Sequence, residues 1–185
     1  MKKEDGFEHK LKRGFVRVDL EPDGDDWFIN FAAEIDNDHP AEVVFEQVVT
    51  GFVDSEKSWV WPIKYECVPE PLPYPLTEGC VFRMTYTVPR WDDPEKTMPG
   101  ETYSYRLARY APDESIFEYQ GIDHPMQGGG RFRAIPRDGG GSRFEWTGRY
   151  RSRGGDPRVV ESLRRYLPVL YESFENNLLK GPPGG

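Results

Sequence analysis

Cysteine is scarce in this chain: Cys67 and Cys80 are the only two among 185 residues, so no disulfide framework is available to hold the fold. Long apolar runs are missing as well, and with them any stretch that reads as a membrane-spanning helix. Met1-Lys2-Lys3 leads into Glu4-Asp5 rather than an apolar segment, so no signal peptide is read and a cytoplasmic location is the expectation. Histidine is thin too. His9, His39 and His124 are scattered, and with two separated cysteines they offer no zinc-ligand spacing, so neither metal nor other cofactor is expected. A basic surplus is absent. The net charge of −8 argues against nucleic acid or an anionic membrane as partner, because binding phosphates needs a basic footprint. No serine stands in a nucleophile elbow. The triplets Gly128–Gly130 and Gly139–Gly141 lack the lysine and strand–helix setting of a phosphate loop and read as turns or bulges.

What the chain does have is aromatic rings, at 14% of residues against a hydrophobic fraction of 37%. Tyr, Phe and Trp offer broad apolar faces, some with a polar tip, and suit the wall of a cavity. A chain of this length forms one domain and buries a useful core unaided.

Charged residues 1–13 read as a tail. Residues 15–20 alternate, and Glu21–Asp26 is turn chemistry. If Pro22–Asp25 turns a hairpin, Leu20 faces Trp27 and Val18 faces Ile29; an added strand and a loosely packed extension are both open readings of residues 1–24. Residues 27–35 alternate as a strand. A short helix follows, capped by His39 or Asp38, with Glu42 placed to close a capping box and Val44, Phe45, Val48, Val49 and Phe52 as its apolar stripe. A second short helix or turn covers Asp54–Ser58.

From there to position 153 the pattern is antiparallel: strands over 63–68, 79–88, 101–111, 114–120, 130–137 and 142–152. The Pro-rich stretch 69–75 is a loop, and Cys67 and Cys80 can face each other across it. Arg131, Arg133, Arg143, Glu145 and Arg149 share one face of the last hairpin, while Phe132, Ala134, Phe144, Trp146 and Gly148 share the other, so one face is wet and the other covered. The cover is a long helix opened by Asp156-Pro157. Its stripe is Val159, Val160, Leu163, Tyr166, Leu167, Leu170, Phe174 and Leu178, with a kink expected at Pro168. Residues 181–185 are a Gly/Pro tail.

The order of elements, with Ile35…His39-Pro40-Ala41-Glu42-Val43-Val44-Phe45, Leu76-Thr77-Glu78-Gly79-Cys80-Val81-Phe82-Arg83 and the hairpin Ile135–Trp146, resembles the START-like (SRPBCC) superfamily, in particular its polyketide cyclase/dehydrase-like branch. The resemblance spans roughly residues 25–180. It implies an α+β helix-grip fold: a curved seven-stranded antiparallel sheet around the C-terminal helix, with two short helices after the first strand. It also implies an internal cavity for a polyketide-, aromatic- or lipid-like molecule. Cyclisation, aromatisation or dehydration of that molecule is one reading. A non-enzymatic carrier or sensor, or an accessory protein-interaction domain, is the alternative, and a homodimer stays open. No catalytic motif of the family carries over.

In this topology the connections 89–100, 121–129 and 152–156 gather at one end of the sheet, near Trp59 and Trp61, as the cavity mouth. Trp91 and Met98 form a lid on one reading, and on the other the 89–100 connection is a disordered loop. His124 is the best acid–base candidate, against the plainer reading of an idle loop histidine. Glu118 is a second if it points inward. A two-residue turn at Pro112-Asp113 puts Ile116, Glu118 and Gln120 inside, whereas a one-residue slip puts Phe117 and Tyr119 there. Tyr105 is the third catalytic candidate. The expected lining is Phe82, Met84, Tyr86, Tyr103, Tyr105 and Leu107, then Phe132, Phe144 and Trp146, with Tyr166 and Leu170 from the helix. A phenol there can hydrogen-bond a ligand carbonyl, or simply pack as core.

Overall fold

A computed structural model of the chain describes residues 6–54, 56–62, 65–68, 76–89, 97–122, 127–152, 154 and 157–184; within these, 65–68, 84–89, 97–102 and 157–158 are described by their backbone alone. Among the described residues the strands are β1 (Phe7–Lys10), β2 (Gly14–Asp23), β3 (Asp26–Asn37), β4 (Tyr65–Val68), β5 (Val81–Pro89), β6 (Thr97–Ala111), β7 (Ile116–Gly121), β8 (Gln127–Pro136) and β9 (Ser142–Ser152). The helices are α1 (Ala41–Val53) and α2 (Pro157–Lys180). The nine strands make one antiparallel sheet in the order β1-β2-β3-β9-β8-β7-β6-β5-β4.

The sheet is α+β with a C-terminal helix, as expected, but it has two more strands than the seven anticipated. Both come from the N-terminal segment. β1 pairs with β2, and β2 with β3, along a register that sets Leu20 opposite Ile29 and Val18 opposite Phe31. The hairpin therefore turns one residue later than expected, which moves every partner by two. Only Gly24 and Asp25 form its loop, and Gly24 takes a φ of 63°, the positive φ that such loops require. Several turn-forming residues in a row concealed which pair would turn. β1 was read as tail because Phe7 is its one apolar residue; ladder bonds and ties to α2 hold it instead.

Among the described residues one helix, not two, follows β3. Residues after α1 make a single turn, closed by Lys57 N–H to the Asp54 carbonyl at 3.1 Å. Pro40 occupies the N-cap of α1 without a side-chain cap, so the expected capping box is not formed. His39 is engaged elsewhere: its Nε2 donates to the Leu178 carbonyl at 2.8 Å, near the C-terminus of α2. The stripe Val44, Phe45, Val48, Val49 and Phe52 is buried. Gly51 sits inside α1 because the Trp61 ring lies where a Cβ would be, and Trp61 Nε1–H donates to the Val48 carbonyl at 2.9 Å.

Helix α2 runs unbroken through Pro168 and ends at Gly181, whose positive φ of 73° closes the helix with an N–H bond to the Asn177 carbonyl. Leu167, Leu170, Tyr171, Phe174 and Leu178 are buried, while Val159, Leu163 and Tyr166 are half-buried. The core between helices and sheet is stacked rings. Phe117 and Phe132 lie 4.7 Å apart, Phe52 covers both at 5.4 and 5.3 Å, and Phe144 meets Phe174 at 4.9 Å. The outer face is a checkerboard of ion pairs that neutralises the late arginines: Arg133–Glu145 at 2.7 Å, Arg143–Asp36 at 2.7 Å, Arg149–Glu21 at 2.8 Å and Arg151–Asp26 at 2.9 Å.

Candidate functional site

The inner face is set by strand parity. Odd positions of β3 and even positions of β8 and β9 point inward, since Ile29, Ala33, Ile35, Phe132, Ala134 and Phe144 are buried. On β7 the short 3-10 turn Pro112–Glu114 and the left-handed Ser115 (φ 52°) settle the slip: Phe117 and Tyr119 are buried among the rings. Glu118 points the other way, 3.7 Å from Arg131. The condition for its acid–base role, an inward carboxylate, is not met.

A polar chain crosses this apolar interior. Trp146 Nε1–H donates to the Tyr119 hydroxyl at 3.1 Å, and that hydroxyl shares a bond of 3.0 Å with the Tyr150 hydroxyl. Tyr105 meets Tyr119 edge-on at 5.6 Å. Burial, then the neighbouring Tyr150, pushes the Tyr119 phenol well above its ordinary pKa, so it stays protonated at neutral pH and is no base.

Two glycines make the chain fit. Gly130 and Gly148 are a cross-strand pair of β8 and β9. A Cβ on Gly130 would sit 2.5 Å from the Tyr119 hydroxyl, and one on Gly148 would sit 2.7 Å from the Tyr150 ring. The phenols lie over a bare strip of sheet. The triplet Gly128–Gly130 is thus inside β8, not a turn or bulge; Gly139–Gly141 is a turn, with φ of 86°, 99° and 76°.

At the β9 C-terminal end, Trp146, Tyr150 and Phe31 remain half-buried, as do Tyr103 on β6 and Leu163 and Tyr166 on α2. The helix covers that end less completely than the other. Trp59 is not there: its ring lies 5.2 Å from His39, beyond the opposite end of β3. Trp61 is 7% exposed and sits inside the core against Phe52, Trp146 and Phe174.

Phe82, Tyr105, Leu107, Phe132, Phe144 and Leu170 are gathered in the one core cluster, with Tyr103, Trp146 and Tyr166 packed against it. Met84 and Tyr86 lie in the part of β5 described by backbone alone, and the register sets Cys67 opposite Met84, not Cys80. Met98 pairs with Val88 within β6, because that strand starts at Thr97 rather than 101. Trp91, His124 and Asp156 lie outside the described residues.

Solved structures share this architecture. The ZhuI aromatase/cyclase from Streptomyces sp. R1128 superposes with a TM-score of 0.55 at 17% identity, over 83% of this chain and 92% of that one. The di-domain ARO/CYC BexL from the BE-7585A biosynthetic pathway gives 0.53 at 15%, over 82% of this chain and 45% of that one. Ara h 8.0201 gives 0.53 at 16%, over 83% and 99%. The fold that these structures share with the chain is the helix-grip fold. No family model matches the sequence, and no curated protein matches it. Tyr150 was the member of this polar chain that sequence reasoning missed, and Tyr119 stood there only as one of two open facings of its strand. The signal for Tyr150 was present: it continues the inward series Phe144, Trp146, Gly148 by one step.

Proposed function

We propose that this helix-grip protein binds a small hydrophobic molecule, polyketide-, aromatic- or lipid-like, against the inner face of its sheet. The observation that carries this reading is the Trp146–Tyr119–Tyr150 chain: a run of polar groups inside an aromatic interior, beside half-buried rings. Small-molecule sites are mostly apolar surfaces with few, placed polar groups. The rest of the core needs no such chain to pack. The fold neighbours ZhuI and BexL, aromatase/cyclases by name, lend the reading support by analogy of fold alone.

Catalysis of cyclisation, aromatisation or dehydration is a second reading. The protonated Tyr119 phenol favours it, because a donor held in an apolar site can stabilise an oxygen on which negative charge develops. Tyr105 adjoins that phenol, and His124 remains the proposed acid–base group. Carriage without chemistry needs the same contacts and no titrating partner.

Native mass spectrometry of the purified protein tests the binding reading. A co-purified apolar molecule, lost on Trp146→Ala, is the expected result. A bare protein whose melting temperature ignores a panel of aromatic and acyl compounds would sink it.

A further inference from the structure

The outer face of the sheet pairs its arginines with carboxylates across β2, β3, β9, β8 and β7, and then the pattern changes. Arg149 meets Glu21, Arg143 meets Asp36, Arg133 meets Glu145, and Arg131 lies 3.7 Å from Glu118. On β6, Arg109 still holds Glu114 at 2.8 Å. Past that point the arginines continue and the carboxylates stop. The described side chains of β5 and β6 include no aspartate or glutamate. Arg83 on β5 and Arg106 on β6 are exposed, and among the described residues neither makes an ion pair or a hydrogen bond.

Apolar groups stand where carboxylates would balance them. The register sets Val81 opposite Arg106 and Arg83 opposite Ser104, with Gln120 of β7 on the other side of Arg106. Ile122 follows β7, and its N–H donates to the Ser104 carbonyl at 2.9 Å. Directly opposite residues share a face, and Phe82 and Tyr105 are buried on the inner one, so Val81, Arg83 and Arg106 point outward together. Val81 is 46% exposed and Ile122 49%, more than any other large apolar side chain described.

This patch is basic and apolar on a chain whose net charge is −8. A guanidinium fork matches a carboxylate, and a charged patch of opposite sign selects its partner. We infer that the outer patch of β5, β6 and β7 docks an acidic segment of a partner protein, with carboxylates on Arg83 and Arg106 and an apolar side chain against Val81 and Ile122. A second copy of the chain fits poorly, because a two-fold contact through the patch sets the same arginines against each other. Nucleic acid needs a wider basic footprint than two arginines. The patch lies on the opposite face of the sheet from the proposed ligand and is independent of that reading.

Fluorescence anisotropy with two labelled peptides tests it: Glu-Glu-Leu-Glu-Glu-Leu and its uncharged counterpart Gln-Gln-Leu-Gln-Gln-Leu. Two exposed ion pairs predict that the acidic peptide binds about fivefold more tightly, by an advantage that shrinks as salt rises. Arg83→Gln/Arg106→Gln should erase the advantage, and each single variant should lose part of it. Arg133→Gln/Arg149→Gln removes the same charge from arginines that are already paired, and should keep the advantage. Val81→Ser should weaken both peptides alike. Equal affinity for the two peptides, no binding of either, or equal losses in the two double variants overturn the docking surface. So does binding of phosphatidylserine vesicles by the parent and not by Arg83→Gln/Arg106→Gln, which assigns the arginines to lipid headgroups.

Discussion

The carboxylate of Glu175, buried on α2, accepts the backbone N–H of Arg13 at 2.6 Å and that of Lys12 at 3.0 Å. The tight turn between β1 and β2 is thereby bolted to the C-terminal helix. His9 to Glu172 at 2.7 Å and Lys12 Nζ to Asn176 at 2.7 Å add exposed ties along the same helix. The N-terminal hairpin is part of what positions α2 over the sheet.

Glu175→Gln tests that bolt. The amide keeps the shape but turns an N–H₂ toward one of the two backbone donors. The expected loss is about 1–3 kcal/mol, the range for leaving a buried hydrogen-bonding group without its partner. Urea denaturation of both proteins measures it. An unchanged midpoint would show that the hairpin docks without this carboxylate.

Asp36 offers a pH test. The hydrogen bond from Arg143 holds its carboxyl below the usual range, and burial acts in the opposite direction; the charges of Arg143, Arg137 and Arg13 also lower it. A depressed carboxylate stabilises fully above its unfolded pKa, and that stabilisation is lost as pH falls through the folded value. Asp36→Asn should therefore be less stable than the parent by roughly 0.5–1 kcal/mol at pH 7, allowing for solvent screening of the half-exposed arginine. The gap should narrow as pH falls below the usual aspartate range and close only once the depressed folded carboxyl is protonated as well. Denaturation curves at pH 7 and pH 3 decide it, and a gap that is the same at both would refute the ion-pair account.

Leu170 and Val169 are neighbours on α2 with opposite surroundings: 8% against 41% exposed. Leu170→Ala leaves a hole in the core and should destabilise by about 2–5 kcal/mol. Val169→Ala should stay within roughly 0.5 kcal/mol of the parent. Equal effects in thermal melts would mean that the helix docks on a different face.

These contrasts also mark what the sequence made legible. The apolar stripe of α2, the β8–β9 hairpin and the inward series Phe132, Phe144, Trp146 follow from periodicity alone, which is a local property. Register does not. The β2–β3 hairpin slipped by two residues because Pro22, Asp23, Gly24 and Asp25 all favour turns and only the closed ladder selects Gly24-Asp25. The facing of β7 depended on one left-handed residue, Ser115, which composition does not announce. The polar chain was hidden for the same reason. Its members lie 27 and 31 residues apart and meet only because Tyr119, Gly130 and Gly148 fall in one cross-sheet row.

That row makes a final, sharper prediction about Gly130 and Tyr119. Gly130→Ala places a methyl group 2.5 Å from the Tyr119 hydroxyl and 2.8 Å from the ring carbon that bears it, so the phenol must move. The displacement weakens the Trp146 and Tyr150 bonds together, for an expected loss of about 1–3 kcal/mol, typical of an overpacked site. Tyr119→Phe alone removes both bonds but leaves the ring in place, costing about 1–2 kcal/mol. In the double variant the closer of the two clashing atoms, the oxygen, is gone, and no bond remains to be strained. The double variant should then lose less than the sum of the two single losses, by about 1 kcal/mol, as expected for residues in direct contact. A double-mutant cycle in urea measures the coupling. Strict additivity would mean that the glycine is there for the backbone's sake, and that the phenol owes its position to something other than the bare strip beneath it.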